Sequence, residues 1–196
     1  MISKNKLEHL KKSLRSRFQY LRLFQVYKVP VYLHWPLSIA IAIAITLSLF
    51  NISYLIAAIS ISFVMLIHEL GHMWFASRYK LETLRIELHL FHGTCFHEES
   101  SYEYHNQMVA WGGVAAQALI FIPCIPLHLF FDEFLPWQIN MPLFFLGFYS
   151  AVIAAISLLP MEGLDGYQCW KTLHFRPNWK RKKLTGKKPN HLKVMK

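Results

Sequence analysis

His68, Glu69 and His72 lie within five residues of one another, inside the apolar run FVMLIHELGHMWFASRY (63–79). Histidines four apart project from one face of a helix, one above the other. Two imidazoles so placed can grip one zinc ion. Glu69 then stands beside the metal without binding it, where it can hold and deprotonate a water, the H-E-x-x-H logic of metal hydrolases. An ionisable residue inside a membrane span costs at least about 2.5 kcal/mol, so three polar groups in a turn and a half need a cause. The plain alternative is a set of buried polar groups that only hydrogen-bond their neighbours. Gly71 costs about 1 kcal/mol of helix stability relative to Ala, which predicts a close approach by another element.

A catalytic zinc usually has three protein ligands and one open position. The third candidate lies in SLLPMEGLDGYQ (157–168), where Asp165 is one of two aspartates in the chain. It follows Pro160 in a turn with Gly163 and Gly166. An Asp-Gly pair also caps turns with no other role.

These residues must be positioned by a membrane protein. The chain has 196 residues, 54% of them hydrophobic, yet a formal net charge of +10. Residues 1 to 28 hold eight Lys or Arg and residues 171 to 196 hold ten, with only Arg78, Lys80 and Arg85 between. Basic ends around an apolar middle read as a membrane protein, not as a nucleic-acid binder with a basic face. Cys95, Cys124 and Cys169 are odd in number and form no disulfide framework. No short apolar core with a cleavage site follows the N-terminus, so residues 1–30 are expected to be a retained basic cytosolic arm.

Four apolar stretches approach the ~20 residues that cross a bilayer: about Val31–Phe50, Ser53–Ser77, Met108–Phe131 (interrupted by Pro123 and Pro126) and Pro142–Leu159. The positive-inside rule then puts both termini and the loop carrying Arg78, Lys80 and Arg85 in the cytosol. It also sets His68, His72 and Asp165 at similar depth. TLRIELHL alternates with period two, placing Leu84, Ile86, Leu88 and Leu90 on one face. With Gly93 as a turn and TCFHE returning, it predicts a small hairpin at the membrane surface. The expected architecture is an all-α polytopic membrane protein with about four transmembrane helices and that hairpin between the second and third. A membrane-embedded core over 31–170 is followed by a basic tail over 171–196.

The sequence resembles the site-2 protease family of intramembrane zinc metalloproteases. Three pieces carry the resemblance, together covering about His68 to Gly166: HELGH in one span, GGVAAQ early in the next, and LLPMEGLDG after the last. The resemblance implies one zinc ion per chain, bound by His68, His72 and Asp165, with Glu69 as catalytic base. It implies a three-helix catalytic core, with the first span an addition, and as substrate the transmembrane helix of another membrane protein. Two places depart from the family pattern. Ser157 stands where an Asn is common, and Gly113, Val114 and Gln117 replace a G-P-x-x-N motif. The resemblance implies that those positions hold substrate backbone, and Gln117 offers the same donor and acceptor one methylene further out.

His34, near the start of the first span, is a candidate oxyanion stabiliser or an interfacial His-Trp pair with Trp35. His89, His92, His97 and His105 are expected to face water. Two rival functions stay open: a di-iron oxidoreductase, which would need more clustered histidine motifs, and a catalytically silent relative acting as a membrane binding module.

Overall fold

A computed structural model describes residues 20–90 and 92–173; of the predicted arm (1–30) residues 1–19, and of the predicted tail (171–196) residues 174–196, lie outside the described residues, while residues 20–30 belong to the sheet. The chain is not all-α. Strands β1 (Tyr20–Val26), β2 (Val29–His34), β3 (Thr83–Leu88) and β4 (Gly93–His97) form one sheet in the order β1-β2-β3-β4. β1 and β2 pair antiparallel through a two-residue loop, Tyr27-Lys28, in which both residues have positive φ (47° and 72°). That is the backbone of the tight hairpin turn whose twist matches the strands. β2 and β3 are parallel, with Val31 beside Ile86 and Leu33 beside Leu88. Parallel neighbours require a crossover, here supplied by two helices, α1 (Trp35–Ser48) and α2 (Ser53–Arg78).

The first predicted span is corrected by this arrangement. Its opening residues, Val31 to His34, belong to β2, where Val29, Val31 and Leu33 point inward in strict alternation. The apolar run conceals the change because a buried strand and a helix look alike in composition. Pro36, at the start of α1, sets where the helix begins. What remains has 14 residues, about 21 Å at 1.5 Å per residue, short of a bilayer core of about 30 Å.

Among the described residues three helices are long and apolar enough to cross a membrane: α2, α3 (Glu103–Phe131) and α4 (Trp137–Ser157). α3 runs through Pro123 and Pro126 without a break. α4 contains a π turn at Phe145–Tyr149, where a Cβ at Gly147 would stand 3.2 Å from the Ile125 backbone nitrogen of α3, tighter than ordinary contact. A final helix, α5 (Asp165–Leu173), docks on the end of α4, with Trp170 donating its indole N–H to the Leu158 carbonyl at 2.6 Å.

Two ends of the helical array follow from connectivity. α1 leaves the sheet and α2 returns to it; α3 then leaves and α4 returns. The sheet, the α2–β3 loop and the turn before Asp165 therefore share one end. One face of the sheet packs Val31, Leu33, Ile86, Leu88 and Cys95 against Leu37 of α1 and Met65 and Met73 of α2. The predicted alternation in β3 is met in part: Ile86 and Leu88 are buried, but Leu84 and Leu90 are exposed and Glu87 is buried.

Candidate metal centre

α2 delivers His68, Glu69 and His72 to the interior, where all three are buried. α3 reaches them because glycines remove the bulk between the two helices. Gly71 and Gly112 face each other so closely that a Cβ on either would strike the other's backbone. One residue further along, a Cβ at Gly113 would stand 2.5 Å from His68 Cε1 and 2.6 Å from His72 Nε2. Bare backbone thus forms one wall of the site. Asp165 arrives at the start of α5, and Gly166 beside it has no room for a side chain against Leu158 and Leu159.

The donor atoms converge. His68 Nε2 lies 2.9 Å from Asp165 Oδ2, His72 Nε2 lies 3.2 Å from the same oxygen, and the two Nε2 atoms are 3.1 Å apart. Both other ring nitrogens donate elsewhere. His68 Nδ1–H points to Gln117 Oε1 at 3.1 Å, and His72 Nδ1–H to the Val109 carbonyl at 2.8 Å. With each proton fixed on Nδ1, three electron-rich atoms face one another, an arrangement that is stable around a cation. Ligands on a tetrahedral zinc with bonds of about 2.05 Å stand about 3.3 Å apart, close to the observed edges. The donor set, its outer hydrogen bonds and the glycine wall therefore fit a zinc ion.

Glu69 sits next to this group and is 3% exposed. It lies under β4: the Cys95 N–H donates to its carboxylate, and a Cβ at Gly93 would collide with it. Sequence reasoning missed this cover, and also the Val109 carbonyl, because main-chain groups leave no side-chain signature. Gly93 was the one available hint.

The remaining candidates fall in different places. Gln117 is fully buried, with Oε1 on His68 and Nε2 without a hydrogen-bond partner among the described residues. Ser157 is the last residue of α4 and makes no hydrogen bond to the cluster among the described residues. His34 ends β2 and packs on Tyr20, Trp35 and His89. His89 does not face water freely: burial, His92 and His34 push it down to about 4. His97 also departs from the water-facing expectation, since burial lowers it and it senses the charges of His72 and Asp165.

Fold and site together define a class: apolar helices with a sheet at one end, enclosing two histidines and an aspartate able to hold a metal. Among solved structures the chain is similar to the Site-2 Protease from Methanocaldococcus jannaschii, with a TM-score of 0.63, 22% identity, and coverage of 79% of this chain and 71% of that one. The chain thus has a site-2 protease fold. No protein-family model matches it, and no curated protein does.

Proposed function

We propose that this chain is a zinc-dependent intramembrane endopeptidase that cuts transmembrane segments of other membrane proteins. The observation that carries the proposal is the pairing of Glu69 with the convergent nitrogens and oxygen of His68, His72 and Asp165, deep among apolar helices. Zinc, when bound, supplies Lewis acidity and a water acidic enough to ionise near neutral pH.

The chain's own residues do the rest. His68, His72 and Asp165 hold the ion, and Gln117 and the Val109 carbonyl keep the two imidazoles in the liganding tautomer. Glu69 acts as general base and then passes the proton to the leaving amine. The Gln117 amide N–H group and Ser157 are assigned to the substrate backbone; His34, packed in the sheet, is assigned no step. β4 is an edge strand, and an unwound substrate segment adds to such an edge by main-chain hydrogen bonds. That exposes a peptide bond otherwise shielded inside its helix. The basic loop near the sheet favours the cytosolic side for this end, in a multi-pass protein of the cell membrane with both termini cytosolic. The partners are a membrane-protein substrate and the lipid bilayer, not nucleic acid.

The test is metal content and cleavage in detergent-purified protein, using a labelled single-span peptide with a Gly/Pro-weakened helix as probe. Wild type should carry zinc at this site and cut the peptide. His68→Ala and Asp165→Ala should lose both properties, and Glu69→Gln should keep zinc and lose cleavage. Folded wild type that binds no metal would sink the reading.

A further inference from the structure

One edge of β4 faces no other strand among the described residues. Which backbone groups point to that edge follows from the ladder. His89 N–H donates to the His92 carbonyl at 2.9 Å, so these two residues form a hydrogen-bonded pair across the β3–β4 turn. Hydrogen-bonded and non-hydrogen-bonded pairs alternate along an antiparallel ladder. In the observed register Leu88 with Gly93 is then a non-bonded pair, Glu87 with Thr94 a bonded one, and Ile86 with Cys95 again non-bonded. Gly93 and Cys95 therefore turn their N–H and C=O groups away from β3. Unpaired groups along an edge are a template for a further strand. Yet the Cys95 N–H already has a partner, the Glu69 carboxylate. The same side chain fills the space beside Gly93, where a Cβ would stand 2.3 Å from Glu69 Oε1 and 2.4 Å from its Cγ.

We propose that Glu69 caps the free edge of β4, and that an added substrate strand competes with it for the Cys95 N–H. A peptide carbonyl that takes this donor releases the carboxylate beside the metal group. The base is freed where and when an extended peptide arrives. Rotation among side-chain rotamers of Glu69 suffices, so α2 and β4 keep their places. Two separate observations support the cap. Ladder parity aims the Cys95 N–H outward, and the bare Cα of Gly93 admits the carboxylate to that edge. The inference rests on the protease reading for what the freed carboxylate does. The competition for the edge does not depend on that reading.

The test is binding of a short dye-labelled Val-Thr peptide to the full chain in detergent, read by fluorescence anisotropy. The peptide is N-methylated at every second residue, so it pairs along one edge only. Glu69→Ala frees the edge and should bind the peptide about tenfold more tightly than wild type, the factor of one hydrogen bond to a charged group. Cys95→Pro removes the N–H from a free edge, where proline is tolerated, and adding Glu69→Ala to it should bring no further gain. Cys95→Ala keeps the N–H and should respond to Glu69→Ala as wild type does. Where Cys95→Pro fails to fold, Gly93→Ala replaces it. Gly93 is not among the residues with positive φ, so its backbone accepts alanine, and the methyl should push Glu69 off the edge and raise affinity. Equal or weaker binding by Glu69→Ala overturns the proposal, as does a gain that persists with Cys95→Pro or an unchanged affinity in Gly93→Ala. Failure of the protease reading shows instead in the metal content and cleavage of the wild type, so the two outcomes stay distinct.

Discussion

The chain gathers histidines in two places by different geometry. In the helical site, two rings come from successive turns of α2, and the surroundings are built to zero clearance, with glycine backbone against imidazole. In the sheet, His34 and His89 come side by side through strand register, and His92 follows from the β3–β4 turn, exposed. A helix fixes the spacing of its ligands internally, so neighbouring elements need only come close. A sheet fixes nothing until its strands have paired. The helical site should therefore be sensitive to volume and the sheet cluster to strand register.

The largest effect that would break this comparison is on chemistry. Glu69→Gln should lower cleavage of the probe peptide by about 10²–10⁴-fold, the range of general-base catalysis, while metal content stays at the wild-type level. Equal cleavage by this variant would remove Glu69 from the mechanism. Next comes volume. Gly113→Val puts branched carbon where the two imidazoles already touch backbone, and should cost about 1–3 kcal/mol of stability together with zinc at the helical site. Thermal unfolding and metal content read both. Gln117→Leu removes the acceptor that orients His68 and should weaken zinc by about 10–100-fold in a chelator competition. An unchanged affinity would leave Gln117 only its substrate role. Smallest of all, Lys28→Gly relieves a left-handed residue in the β1–β2 turn that costs about 1–2 kcal/mol. It should raise the melting temperature slightly without touching either histidine group.

The contrast between the two regions also explains what could be read in advance. His68, Glu69 and His72 are legible because helical contacts repeat within a few residues, and Gly71 announced the crossing with α3. Asp165 was legible through its turn and through connectivity, which brings the ends of α2 and α4 to the same end of the array. The β1–β2 hairpin was not, because its two left-handed positions are filled by Tyr27 and Lys28 in place of the Asn-Gly that normally marks such a turn. β2 was absorbed into an apolar run and counted as membrane span. The juxtaposition of His34 with His89 depends on parallel register across a crossover, which no local pattern encodes. For the same reason Glu87, on the nominally polar face of its strand, turned out buried.

The third metal-ligating candidate lies 97 residues beyond the first. Chains are made from the N-terminus and fold in that order, so the two imidazoles enter the bilayer with α2 long before Asp165 leaves the ribosome. Until α5 docks on the end of α4, a nascent chain carries two donors and no closed cage. On the protease reading, such an unfinished enzyme is silent among the half-made membrane proteins around it, and the last described helix to be synthesised arms it.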